Sequence, residues 1–305
     1  MTFFLLRRSV HGIIVLWAVA TFTFVLLRLA PGGPFDRERQ LPPEVLANIE
    51  AKYHLDEPLP NQYVRYLTGI LRGDLGPSYK YIDRGVNDVV AETLPTSALL
   101  GALALAFAVL IAFPTGILAA YHRASAIDRC AMFFSTLGIS VPHFILGALL
   151  IWSVALQLGW LQAGRWDHWS SVILPSITLG AAPAAYLAAL LRSSLIDTLG
   201  EDFISAARAK GLKETVVVLK HALAHSLIPV LTVMGPLTAA LLTGSFVVEY
   251  VFAIPGMGRF FITAVTDRDY PLVMGVTLVY TALLFLANVV VDMLYGLIDP
   301  RVRTE

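Results

Sequence analysis

Apolar residues dominate six blocks of the chain, at positions 9–29, 96–121, 130–158, 172–196, 227–248 and 272–298. Each block matches or exceeds the roughly 20 residues an α-helix needs to cross the hydrocarbon core. The pattern predicts an all-α polytopic membrane protein with six transmembrane helices. Pro114, Pro142, Pro183 and the Gly235-Pro236 pair fall inside the blocks. Kinks rather than breaks are expected there, because neighbouring helices can satisfy the backbone groups a proline frees. The first block follows Arg7 and Arg8, as a secretory signal would. It is too long for one and closes on Arg28, Pro31, Gly32 and Gly33 without a clean small-x-small site, so a retained first helix is expected.

Between the first two blocks, residues 30–95 read as a small soluble subdomain. Pro42 and Pro43 can open a helix, since a proline costs no hydrogen bond in the first turn. Val45, Leu46, Ile49 and Tyr53 would give that helix one apolar face. Tyr63, Tyr66, Leu67, Ile70 and Leu71 follow at i, i+3, i+4, i+7 and i+8, the spacing of an amphipathic helix lying on the bundle or on the membrane surface. With ten acidic and seven basic residues the segment is no single-sign docking patch; it reads equally as a cap over the helix ends or as a partner-binding surface. Lys and Arg in the short connections set the orientation. An inside N-terminus puts Arg7, Arg8, Arg123, Arg129, Arg192, Arg208, Lys210, Lys213, Lys220, Arg301 and Arg303 on the cytoplasmic side, against Arg28, Arg165, Arg259 and Arg268 outside. Both termini are therefore expected in the cytoplasm.

Composition agrees with a bilayer as solvent: 57% hydrophobic, 14% charged and a mean hydropathy of +0.71. Basic and acidic residues balance at 22 each, which removes any general attraction to nucleic acid. The single cysteine, Cys130, can form neither an internal disulfide nor a thiolate cluster and reads as a small lipid-facing or packing residue. His221 and His225 stand at i and i+4, but they lack the Glu of H-E-x-x-H and a third ligand, so no metal site is expected. No H-E-x-x-H or G-x-S-x-G motif marks an intramembrane enzyme, and no catalytic residue is assigned. Three polar positions within the spans are candidates for a translocation path: Glu249, Asn288 and Asp292. Glu249 also suits a helix end at headgroup level, and Asp292 an interfacial site. His143, after Pro142, reads either as packing or as path-lining.

The most informative stretch is 197–226, placed on the cytoplasmic side by the charge count. Ala206, Ala207 and Ala209 favour a helix, Gly211 suits a left-handed stop, and a second helical run begins near Lys213. Helix, glycine turn and helix could be an ordinary surface hairpin or a plug for a groove on another protein. SAARAKGL (205–212) resembles the EAA-x-x-x-G loop of permeases in binding-protein-dependent ABC importers, in the form used by their peptide and nickel branch. Ser205 stands where the general motif has Glu, and the later proline position falls on Ala224, five residues before Pro229. LRLAPGGPF (27–35), LPPEVLANIEAKYHLDEPLP (41–60), RGDLGPS (72–78), GSFVVEYVFAIPGMGRFF (244–261), RDYPLV (268–273) and IDPRVR (298–303) extend the resemblance over the chain. The external wording is similar to the oligopeptide-permease B subunits.

That resemblance implies a type I ABC importer permease fold, with residues 1–95 as first helix plus periplasmic subdomain, 96–298 as the transmembrane domain and 299–305 as a cytoplasmic tail. It implies a bacterial inner membrane and, as partners, membrane lipid, a second homologous permease, two ATP-binding subunits, a periplasmic or lipid-anchored peptide-binding protein and a peptide cargo. It places an ATPase socket at Asp202, Ser205, Ala206, Ala207, Arg208, Lys210 and Gly211. No G-x-x-x-x-G-K-[ST] loop occurs in the chain, so no cofactor is expected on it; ATP and Mg would be held by the partner ATPases. Dipeptide, murein-peptide and nickel permeases are alternatives within the family. An ion-coupled secondary transporter is the alternative outside it, although it would need no docking loop and no inverted repeat is detectable.

Overall fold

The computed structural model describes residues 2–35, 43–81, 83–242 and 244–298; Pro42, the side chains of Val45, Leu46 and Asp292, and residues 299–305 lie outside the described part. Thirteen α-helices are named here in chain order: α1 (Thr2–Leu29), α2 (Pro43–Lys52), α3 (Leu59–Leu71), α4 (Val86–Tyr121), α5 (Ala126–Ser140), α6 (His143–Leu150), α7 (Ile173–Leu199), α8 (Asp202–Ala209), α9 (Glu214–Val216), α10 (Leu223–Leu242), α11 (Phe246–Val251), α12 (Met257–Asp267) and α13 (Tyr270–Ile298). Two π-helical stretches, Ile151–Gln157 and Val217–Ala222, extend α6 and feed α10. Among the described residues, five helical segments are long and apolar enough to cross a membrane, or six when the bent α5–α6 pair counts as one span.

That pair corrects one expectation. At Pro142 the third span breaks, and its two halves lie 106° apart. Val141 is extended (φ −83°, ψ 120°) because the following proline ring disfavours the helical region, and Pro142 has no N–H to continue the ladder. Pro183, Pro229 and Pro236 are by contrast carried inside continuous helices. The fifth span also stops early: α10 ends at Leu242, Gly244 takes φ +83°, and Ser245 starts α11 by accepting the Val248 N–H at 3.3 Å. The second span reaches ten residues further than its apolar block, since α4 begins at Val86 and carries Pro95 internally.

Contacts divide the chain into two compact units. One comprises Met1–Ser97 and Pro255–Val289. Here three of the sequence motifs meet on one buried carboxylate and its neighbours. Asp269, fully buried, accepts hydrogen bonds from the Ser78 hydroxyl, from the Tyr79 N–H at 3.1 Å and from the Leu272 N–H at 3.3 Å. Arg268 and Tyr270 reach the carbonyls of Gly33 and Gly32, both at 3.1 Å. The APGG, GPS and RDY segments are thus bound into one polar knot, flanked by the mutually packed Phe35, Tyr53 and Tyr79 rings. α3 lies against α1 through Tyr63 and Tyr66, whose rings sit 5.3 and 6.0 Å from Phe24.

The other unit comprises Ala98–Ile254 and Val290–Glu305. In it α4 presents Ala104, Ala108 and Ala112, all fully buried, and small residues let backbones come close where lipid supplies no hydrophobic drive between helices. At Gly180 of α7 a β-carbon would sit 2.5 Å from the Ala104 carbonyl oxygen. Gly180→Ala is therefore expected to force α4 and α7 apart and to destabilise the unit by about 1–3 kcal/mol. Thermal unfolding in detergent should register this, with Gly200→Ala, whose added carbon meets nothing nearer than 3.3 Å, as the mild control.

Candidate functional site

The chain leaves α7 through Gly200, and Glu201 is extended (φ −73°, ψ 152°) before α8 starts. Asp202 in the first turn and Arg208 in the last both complement the helix dipole. Ile204 and Ala207, one turn apart, are the buried face of α8. They pack with Ala120 at the end of α4, Leu195 of α7, and Val217, Val218 and Ala222 leading into α10. The segment is thereby seated on the ends of three spanning helices. Its opposite face, with Asp202, Ser205, Ala206, Arg208 and Lys210, is exposed.

Gly211 closes α8 as the sequence predicts. Its φ is +78°, its N–H donates to the Arg208 carbonyl at 2.9 Å, and the Leu212 N–H donates to the Ala207 carbonyl at 3.4 Å. This pair of bonds is the Schellman stop, which satisfies carbonyls a helix end would otherwise leave open. Across the turn the Arg208 guanidinium grips Glu214 with two bonds, 2.7 and 3.1 Å. Ser226 bonds to Thr198 at 3.1 Å and holds the entry of α10 to α7. Phe203, Leu212, Val216 and Leu219 are exposed around the turn, and His225 stands edge-on to Phe203 at 4.9 Å. All seven residues assigned to the socket therefore lie on α8 and its closing turn; six are exposed and one, Ala207, serves as the anchor.

Residues 112–304 match the family described as the binding-protein-dependent transport system inner membrane component, and residues 1–99 match the corresponding N-terminal family. The chain belongs to this permease family. It is 45% identical to the oligopeptide transport system permease protein OppB of Haemophilus influenzae, over 98% of this chain and 99% of that one. It is 44% identical to OppB of Salmonella typhimurium over the same shares, and 44% identical to the dipeptide transport system permease protein DppB of Bacillus subtilis over 93% and 92%. Among solved structures it resembles the MetNI methionine ABC transporter in an inward-facing conformation (TM-score 0.52, 20% identity, 67% of this chain and 95% of that one). An amino acid ABC transporter gives a TM-score of 0.51 at 19% identity, over 70% and 94%. These likenesses establish the type I ABC importer permease fold.

The permease's other predicted polar positions each have their own local setting. Glu249 is completely buried: after the turn at Gly244, α11 directs Val248 and Glu249 into the interior, so the acid, although in the first turn of a short helix, is not exposed. Asn288 of α13 is half-buried and donates to the Leu284 carbonyl at 2.8 Å, one turn back in its own helix. The Asp292 side chain lies outside the described residues, and Glu249 and Asn288 belong to different compact units. His143 bonds through Nδ1 with the Thr178 carbonyl at 3.2 Å, a packing contact between α6 and α7. Cys130 is exposed on α5.

One constellation escaped the sequence reading. Asp128, in the first turn of α5, meets Arg192 of α7 with two hydrogen bonds of 2.5 and 2.7 Å. It also accepts the Ala124 N–H at 2.9 Å, where Ala124 holds φ +63°. A carboxylate three residues after the N-cap Ser125, facing an arginine 64 positions on, carries no local signature beyond its helix-start position.

Proposed function

We propose that this permease forms half of the translocation path of an ATP-driven importer of oligopeptides, with both termini in the cytoplasm. α8 and its glycine turn form the socket for a separate ATPase. The observation that carries this reading is the seating of α8: one face anchored on the ends of α4, α7 and α10, the other open, and a rigid Schellman turn between them. A body so anchored transmits a push from below into the tilt of three spanning helices, a rigid-body switch between inward-open and outward-open states. A second permease subunit, two ATPases and an external peptide-binding protein complete the machine. Energy enters through ATP closing the ATPases, and direction comes from the different affinities of ATP and loaded binding protein for the two states. The names of the oligopeptide relatives support the cargo class; those of the dipeptide relatives make shorter peptides the second reading.

Uptake of labelled peptide into proteoliposomes holding the assembled transporter tests this. Uptake is expected to need ATP, to ignore an uncoupler, and to be competed by longer peptides better than by dipeptides or nickel. Uptake that persists without ATP and collapses with the uncoupler would mean an ion-coupled transporter instead.

A further inference from the structure

In the unit formed by Met1–Ser97 and Pro255–Val289, a cavity of about 540 Å³ opens between the end of α1, the end of α2, α3 and the loop that follows it. That is the size of a small-molecule site. Among the described residues its charged lining is lopsided: Arg28, Lys52, Arg65 and Arg72 against Asp74. Arg65 is engaged by Glu57 at 2.5 Å, whereas Arg28 lies over the Phe24 and Tyr270 rings and Lys52 over the Tyr53 ring, contacts that leave their positive charge in place. Three atoms of the lining, Arg28 Nε, Gln62 Oε1 and the Tyr66 hydroxyl, are sealed from solvent and have no hydrogen-bond partner among the described residues. Such atoms cost free energy unless something satisfies them. Burial, then the neighbouring Tyr63, pushes the Tyr66 phenol up to about 12, so it stays a hydrogen-bond donor at neutral pH. Two orphaned donors amid this excess of positive charge call for an anion.

A second groove, of about 300 Å³, shares Phe24 and Arg28 with the cavity and continues along α1 past Val25, against Leu59 and Pro60 of α3. Apart from Arg28 its walls are almost wholly apolar. Arg28 stands in the last turn of the first candidate span, the depth at which phospholipid phosphates lie. On its other side α3 exposes Val64 and Leu71, an apolar edge suited to the interface. A cationic, donor-rich chamber joined to an apolar groove that follows a spanning helix fits an amphiphile with an anionic head.

We propose that this composite site holds one anionic phospholipid, its phosphate among Arg28, Lys52 and Arg72 and one acyl chain in the groove between α1 and α3. The lipid would tie the external subdomain to the first helix.

Native mass spectrometry of the intact transporter, purified with its partner subunits from membranes containing phosphatidylglycerol and phosphatidylcholine, tests this directly. One phosphatidylglycerol per copy of this chain should survive, and the double variant Arg28→Gln/Arg72→Gln should retain at least about tenfold less, as expected for losing charge-assisted contacts. Arg72→Gln alone, at an exposed position, guards against misfolding and should lower retention several-fold, while Arg72→Lys should restore it. Adding phosphatidylglycerol back to delipidated transporter should raise its unfolding temperature, and inorganic phosphate should not. Equal retention of phosphatidylcholine, unchanged retention in the variants, or the same stabilisation from inorganic phosphate or an acidic peptide would overturn the lipid assignment.

Discussion

Gly211→Asp is expected to leave the permease in the membrane while abolishing ATP-driven uptake. At φ +78° any residue with a β-carbon is strained, by about 1–2 kcal/mol, and that alone lowers the population of the native turn roughly 5- to 30-fold relative to opened ones. The position is otherwise roomy, since a β-carbon would meet nothing within 4 Å. The bundle therefore has no reason to misfold, and the damage stays on the surface of the turn. The new carboxylate adds a second fault: it sits beside Lys210 and competes with Glu214 for Arg208, the pair that braces α8 across the turn. Gly211→Asn, which shares the partial tolerance of Asp for the left-handed region but carries no charge, should fall between wild type and Asp. Co-purification of the ATPase subunits and ATP-dependent uptake are the measurements. Should both match wild type in the Asp variant, this turn is not the socket.

Why this segment was readable in advance, and others were not, follows from where the information lies. Gly211 announced its conformation because only a residue without a β-carbon enters that region freely, and the alanines before it set the helix. The six apolar blocks were equally legible, because a bilayer imposes length and hydropathy one segment at a time. What could not be read is non-local. The 106° break at Pro142 and the unbroken helix through Pro183 carry the same residue type, and the outcome depends on what packs around each. Pro183 is itself buried among the core residues of α7, where neighbouring helices hold its course. Glu249 looked like a helix terminus at headgroup level until the turn at Gly244 folded it inward. The Ser78–Asp269 contact spans 191 positions; each of its motifs was visible, but not that they meet.

The Asp128–Arg192 pair is the least visible of these contacts and carries the second large effect. It fastens the start of α5 to α7 close to where α7 hands over to α8. Asp128 is nearly sealed from solvent, with 5% of its side chain exposed, and Arg192 is three-quarters covered. Two charge-assisted bonds of fixed fork geometry hold them, and the same carboxylate steadies the left-handed turn at Ala124. Asp128→Leu is expected to destabilise the unit by about 1.5–3 kcal/mol, the cost of a lost bond to a charged group. Arg192→Leu should do at least as much harm, because it strands the buried carboxylate. The two losses should not add: with both charges gone no uncompensated charge remains inside, so Asp128→Leu/Arg192→Leu should recover part of the stability. Thermal unfolding of the four proteins closes the cycle, and strictly additive losses would mean that the pair contributes no mutual stabilisation. If the pair also holds α7 in line with the socket, the double variant should regain stability without regaining full uptake, since leucines pack but do not fix an angle as a guanidinium fork does.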